Sequence, residues 1–290
     1  MKKQIFFETL YKLSIIFASL LLLLIIIFIF IQGMPALREY GLFEMIFNGK
    51  WQPTANNPSF GLGFMILATL VTTILSLLIA IPVGILSSVC LVRLVSNKIK
   101  NIIMFIVEIL AGIPSVIIGF FVLKTFVSFL YKHFSHDSGV SGNSLLAAVF
   151  VLALMSLPTI ITVCVKALEA VDPMYTEASF GLGANKIQTI YKVELKAAKS
   201  GIIAAVVLGT GRVIGETMAV MLVSGNAVNP PIDLLKPTRT LTANIATEMS
   251  YASGLHQSAL YASGIILFVM IMIVNIVLLV LLNKGGVDNA

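Results

Sequence analysis

The sequence predicts an all-α integral membrane protein with six transmembrane helices, and three observations carry that reading. Of 290 residues, 58% are apolar and only 11% charged, whereas soluble domains carry about a quarter charged residues. Mean hydropathy is +1.03. Uncharged or nearly uncharged runs recur at roughly the 20-residue length that crosses a bilayer, and no stretch alternates with the period of a barrel strand. The composition excludes an ordinary cytosolic enzyme and a disordered chain. Cys90 and Cys164, with no CxxC and no Cys/His cluster, exclude a disulfide framework and argue against a structural metal.

The spans follow in order. Ser14 to Ile31 carries no charge, and Gln32-Gly33-Met34-Pro35 is expected to stop it. Lys2, Lys3 and Lys12 precede this run, but it exceeds the roughly 7–15 residues of a signal-peptide core and no small-x-small cleavage site follows, so a retained anchor is expected. The second run is Phe64 to Val92. The third, Ile102 to Tyr131, carries Glu108 and Lys124. The fourth is Leu145 to Val165 with Pro158 inside, the fifth Gly201 to Val223 with Arg212 and Glu216, and the sixth Ala259 to Asn283. The chain then divides into residues 1–60 (tail, first helix and outer loop), a five-helix core at 61–283, and a tail at 284–290.

Positive charge orients these spans. With the N-terminus inside, Lys2, Lys3, Lys12, Arg93, Lys98, Lys100, Lys166, Lys186, Lys192, Lys196, Lys199 and Lys284 are cytoplasmic, and only Arg38, Lys50, Lys132, Lys236 and Arg239 are outside. Lys and Arg concentrate on the cytoplasmic side of membrane proteins. Both termini are therefore expected in the cytoplasm, and the net charge of +6 reads as topology, with no nucleic-acid partner.

That orientation makes 166–200 the largest cytoplasmic loop. Asp172-Pro173 is a good helix start, a capping carboxylate followed by proline at the first helical position. Gly181-Leu182-Gly183 offers a left-handed end, and Asn185 with Gln188 can open a second helix by a capping box. Ile187, Ile190 and Tyr191 are expected on one face. The plain reading is an interfacial connector; the sharper one is a docking element.

Arg212 and Glu216 lie in the fifth span. An arginine at the centre of a membrane helix costs roughly 2.5–3.5 kcal/mol on insertion scales, and such residues are functional candidates. Spacing i, i+4 puts both on one face, where they are expected to neutralise each other. Gly209, Gly211 and Gly215 are expected to allow close helix approach. The planar guanidinium suits an oxyanion, to which it donates two parallel hydrogen bonds.

Two resemblances follow. Glu177-Ala178-Ser179, Gly183 and then Val193-Glu194-Leu195 resemble the EAA loop of binding-protein-dependent ABC importer permeases, with Val193, Lys196 and Ser179 departing from its pattern. Gly209-Thr210-Gly211-Arg212-Val213-Ile214-Gly215-Glu216-Thr217-Met218-Ala219-Val220 resembles the phosphate permease family of those importers. So do Leu110 to Val116, Trp51-Gln52-Pro53 and Gly254 to Leu260. Met218-Ala219 matches the PstC branch, where the sister PstA branch continues Ala-Pro. The resemblance implies a type I ABC importer (MetI-like) fold in a bacterial inner membrane, with a coupling helix between helices 4 and 5. Arg212, Glu216 and Thr217 would lie on the substrate pathway, and Glu177, Ala178, Ser179, Gly183 and Ala184 would couple to the ATPase. The implied partners are a PstA-like sister permease, two PstB-like ATPases, a PstS-like extracytoplasmic phosphate-binding protein and phosphate itself. ATP and Mg would belong to the ATPases, leaving this chain no cofactor and no enzymatic activity.

Other readings stay open: a permease for sulfate or molybdate, the PstA branch, a channel working alone, or a membrane enzyme. The docking loop argues against a channel, and no catalytic cluster supports an enzyme. No G-x-x-x-x-G-K-[ST] loop occurs. His133, His136 and Asp137 read as solvated polar residues, Glu108 as reaching water or Lys98 and Lys100, Lys124 as snorkelling outward, and both cysteines as small packing groups.

Overall fold

The computed structural model describes residues 2–138 and 141–284. Helix α1 (Lys2–Tyr40) takes in the whole first predicted span and runs past the expected stop at Gln32–Pro35. Proline removes a backbone donor and breaks the helical ladder. Beside it a side chain from another helix enters the ladder: the Ser258 hydroxyl donates to Gln32 O at 2.6 Å and accepts from Ala36 N at 3.2 Å. Gln32 and Ala36 are the two ends of a single helical hydrogen bond, so one foreign hydroxyl occupies the gap.

Helix α2 (Leu42–Phe47) and a short antiparallel hairpin, β1 (Trp51–Gln52) with β2 (Ser59–Phe60), fill the next loop. Helix α3 (Gly63–Val89) continues into a π-helical turn at Cys90–Leu94. The third predicted span is divided. Helix α4 (Asn97–Gly112) ends before Pro114, which disfavours helical backbone at Ile113 (ψ 129°). Helix α5 (Ser115–Val122), a π turn at Leu123–Val127 and helix α6 (Ser128–Ser138) then make the crossing. Helix α4 lies against the far end of α7 (Leu145–Glu169), where Val107 joins Ile161 and Val165 in an apolar cluster. Lys100 binds Glu169 at 2.9 Å and not Glu108, which stays exposed.

Helices α8 (Pro173–Gly181), α9 (Lys186–Thr189), a π turn at Ile190–Glu194 and α10 (Leu195–Ala197) form the long loop. Helix α11 (Lys199–Gly215) meets that loop at 70°. Helices α12 (Met218–Val223), α13 (Leu241–Glu248) and α14 (Gly254–Lys284) complete the chain. Among the described residues, five helices are long and apolar enough to cross a membrane, and the bent pair Lys186–Ala197 with Lys199–Gly215 makes a sixth if it is taken as one span. The predicted tail at 284–290 lies outside the described residues beyond Lys284.

Helices α3 and α7 form the centre. Ser76 and Ser88 donate to Val149 O at 3.0 Å and Ile161 O at 3.2 Å, satisfying buried hydroxyls across the interface. Gly84 lets them close: a Cβ there would stand 2.6 Å from Ile160 Cγ2. Helix α1 packs on α14, with Gly33 against Ile265 and Phe28 edge-on to Tyr261. Large apolar side chains of α1, α4 and α14 face outward, the arrangement expected where lipid replaces water. Cys164 is buried, but Cys90 is exposed and does not pack as expected.

Candidate functional site

The fifth predicted span breaks at the residues singled out for the pathway. Helix α11 ends at Gly215, Glu216 turns to extended backbone (φ −70°, ψ 126°), and α12 restarts at Met218. The i, i+4 argument fails for that reason: the helix stops one residue short of Glu216, so the carboxylate leaves the face of Arg212. No ion pair joins them among the described residues. Glu216 Oε1 instead accepts from Ala219 N at 3.2 Å, and its carbonyl accepts from Thr242 Oγ1 at 3.1 Å. Thr217 Oγ1 donates back to Gly215 O at 3.2 Å. The Nε of Arg212 is buried with no hydrogen-bond partner.

The glycines beside it also divide. Gly209 packs as expected, since a Cβ would stand 2.8 Å from Ile160 Cγ1. Nothing in the chain lies within 4 Å of a Cβ at Gly211, Gly215 or Gly112. Two helices that each begin at a break pack on each other: α5 starts after Gly112–Pro114 and lies tightly on α12, where a Cβ on Gly119 would stand 2.7 Å from the Ala219 Cα. Non-helical backbone at membrane depth is tolerated only where protein or a water-filled cavity surrounds it.

At the other end, the long loop is the helical hairpin predicted. Asp172 caps α8 through Met174 N at 2.9 Å, and Asn185 and Gln188 form a complete capping box. Gly183 takes φ 81°, the left-handed turn between them. Glu177, Ala178 and Gly183 are exposed and Ala184 is half-buried, whereas Ser179 is buried with its hydroxyl 2.9 Å from that of Thr189, stapling the two arms. Met174, Tyr175, Phe180, Leu182, Ile187 and Tyr191 are exposed, Leu182 at 90%. Ile190 does not share their face: it is buried against Val89, Leu168 and Val171. The π turn at Ile190–Glu194 rotates it inward.

Two constellations were missed by sequence reasoning. Glu194, within the EAA-like segment, is buried and receives Thr176 Oγ1 at 2.8 Å on one oxygen. Its other oxygen lies 2.8 Å from Arg93 Nε, a charge contact that is off-line for a hydrogen bond. Arg93 Nη2 donates to Leu168 O at 3.1 Å. Glu248 binds Arg239 Nη1 at 2.6 Å, with Trp51 Nε1 and His256 Nε2 at 2.8 Å on its second oxygen. Trp51, Arg239 and Glu248 border a polar cavity of about 350 Å³ with Gln52 and Tyr251. Burial, then the neighbouring Glu248 charge, pushes the Tyr251 phenol above its ordinary range. Trp51 and His256 lay in segments already noted for resemblance, and that was the available signal. The His133 ring lies tilted against Phe129, with centroids 4.2 Å apart; His136 and Asp137 lie outside the described side chains.

Five long apolar helices, a sixth bent span broken again at Glu216, and an apolar helical hairpin held out from one end fit a transport permease built to work with a separate subunit. The chain belongs to the family of binding-protein-dependent transport system inner membrane components, whose model matches residues 80–284. It is 34% identical over 250 residues to the probable ABC transporter permease protein YqgH of Bacillus subtilis, covering 85% of this chain and 80% of that one. It is 32% identical over 301 residues to the phosphate transport system permease protein PstC of Haemophilus influenzae, covering 97% and 95%. Among solved structures it superposes on a chain of a bacterial alginate ABC transporter, in complex with an alginate pentasaccharide-bound periplasmic protein, at TM-score 0.62. Identity there is 18%, with 96% of each chain covered, so the likeness concerns the fold. The fold is that of type I ABC importer permeases.

Proposed function

We propose that the chain is the PstC-type subunit of an ATP-driven importer that carries inorganic phosphate into the cytoplasm across a bacterial inner membrane. The observation that carries this reading is Arg212. It stands where α11 breaks, beside two glycines whose faces are open within the chain, and no carboxylate neutralises it among the described residues. A guanidinium left free at depth is suited to pair with an oxyanion through its fork. Glu216 does not hold Arg212 in reserve. It ties α12 to the break, and Thr217 closes the turn, so these two residues shape the passage.

In this reading both termini are cytoplasmic and the α8–α9 hairpin faces the cytoplasm. Glu177, Ala178, Gly183 and Ala184 lie on the face offered to one of two ATPase subunits, which hold ATP and Mg, and Ser179 couples from within by holding the two arms together. A PstA-like permease completes the passage, and a PstS-like protein delivers phosphate to the opposite end. Moving an anion into a negative interior costs about 2.3 kcal/mol per charge per 100 mV, which is why an energy-supplying partner is needed. The chain itself performs no chemistry.

Phosphate uptake by reconstituted complexes tests the proposal. Arg212→Gln is expected to insert and assemble normally yet abolish uptake, with Arg212→Lys rescuing poorly because an ammonium lacks the fork. Wild-type uptake by Arg212→Gln would refute the pathway role. Competition by sulfate or molybdate in place of phosphate would move the substrate to another oxyanion.

A further inference from the structure

The docking hairpin has few ways to act on the membrane helices. Within α8 only Ser179 is buried, and it is spent on the second arm of the same hairpin through Thr189. The other polar link from α8 is Thr176, whose hydroxyl donates to Glu194. Glu194 is 2% exposed, so it touches no partner subunit, and its remaining oxygen faces Arg93 at the end of α3. Arg93 in turn grips the carbonyl of Leu168 near the end of α7. One carboxylate thus joins α8, α3 and α7. Around it Val89, Leu168, Val171, Ile190 and Ala198 form a small apolar cluster.

Both charged residues sit on π-helical turns, Cys90–Leu94 and Ile190–Glu194. Such turns cost helical stability and concentrate at functional positions. Each shifts its helix by a residue, and here they bring the guanidinium and the carboxylate face to face. A buried carboxylate cannot release its partner without leaving an uncompensated charge. The hairpin and the ends of α3 and α7 are therefore obliged to move together.

We propose that Glu194, held by Arg93 and Thr176, is the positioning residue that transmits displacement of the docking hairpin to α3 and α7. This rests on the reading of the hairpin as the ATPase-docking element. Neither residue contacts substrate or nucleotide; their role is to make the loop and the spans one lever.

The test uses the complete complex of permeases, ATPase and phosphate-binding protein in lipid vesicles. Glu194→Gln keeps size and one acceptor but removes the charge; Thr176→Val removes only the hydroxyl. Assembly with the ATPase and basal ATP hydrolysis are expected to persist. Stimulation of hydrolysis by the phosphate-loaded binding protein, and phosphate moved per ATP, should fall about tenfold in Glu194→Gln, within the range typical of coupling between sites. Thr176→Val should fall in the same direction by less. Arg93→Lys should restore part of what Arg93→Gln loses. Hydrogen exchange of residues 173–181, measured on the permease without its ATPase, should accelerate in Glu194→Gln and Thr176→Val. That readout stands apart from docking: a complex in which the hairpin proves not to touch the ATPase overturns the docking reading, while unchanged exchange overturns the tie itself. If Glu194→Gln fails to assemble, Thr176→Val decides alone. Wild-type stimulation and wild-type phosphate per ATP in the assembled variants would overturn the proposal.

Discussion

Replacing Glu248 by glutamine should destabilise the protein by about 3 kcal/mol and be visible through one chromophore. Glutamine keeps one acceptor oxygen but turns the other into an NH₂ group. In either orientation that group faces donors, the Arg239 guanidinium on one side or the Trp51 and His256 pair on the other. A hydrogen bond to a charged group contributes about 1.5–3 kcal/mol, and stripping one partner from a buried pair costs about 3–5. Arg239 keeps Asn226 O at 2.7 Å and Asn244 Oδ1 at 3.0 Å and is 18% exposed, so the lower part of that range applies. A loss of ~3 kcal/mol is a roughly hundredfold change in the folded-to-unfolded ratio. Trp51 is the only tryptophan in the chain, and its indole N–H is bonded to Glu248. Denaturation in detergent followed by tryptophan emission therefore reads the network directly, and the folded variant should show altered emission before unfolding begins. A wild-type midpoint and spectrum would refute the reasoning. So would a double-mutant cycle with Arg239→Ala giving coupling below about 0.5 kcal/mol, since residues in one ionic network do not add independently.

Three further outcomes are expected. Gly119→Val should loosen α5 from α12 and cost about 1–3 kcal/mol, because its Cβ would meet the Ala219 backbone; thermal stability in detergent measures it. Gly183→Ala meets no atom within 4 Å but must hold φ 81°, so it should cost about 1–2 kcal/mol, read as faster proteolysis of the loop with the membrane helices intact. Single cysteines at Ser59 and Ser250 should react with an impermeant reagent from outside intact cells, and one at Lys186 should not; reaction at position 186 would reverse the topology.

Much of this architecture was legible because lipid enforces a simple rule: a crossing needs a long apolar run, and such runs can be counted. The same rule hides interruptions. The run from Ile102 to Tyr131 is apolar but for a few residues such as Glu108 and Lys124, yet Pro114 divides it into a packed helix and a crossing one. Glu216 was placed on the face of Arg212 by assuming continuous helix, and a break one residue earlier undid the pairing. The hairpin was read accurately because its signals are local: Asp172-Pro173, Gly183, and Asn185 with Gln188 each act within a few residues. Arg93 with Glu194 and Trp51 with Glu248 were illegible, since their partners are distant in sequence and only packing joins them. Pro35 misled for the same reason, its remedy lying on α14.

That remedy bears on the order in which the chain is made. The Ser258 hydroxyl that fills the gap beside Pro35 lies 222 residues downstream of Ala36. At about 5–20 residues per second, synthesis reaches it roughly 10–45 s after α1 has emerged. In a bilayer each unsatisfied backbone group costs several kcal/mol. During that interval the Gln32 carbonyl and the Ala36 N–H of the nascent α1 have only each other or water as partners. The first helix is inserted early and takes its final hydrogen bonds late, once α14 has been made.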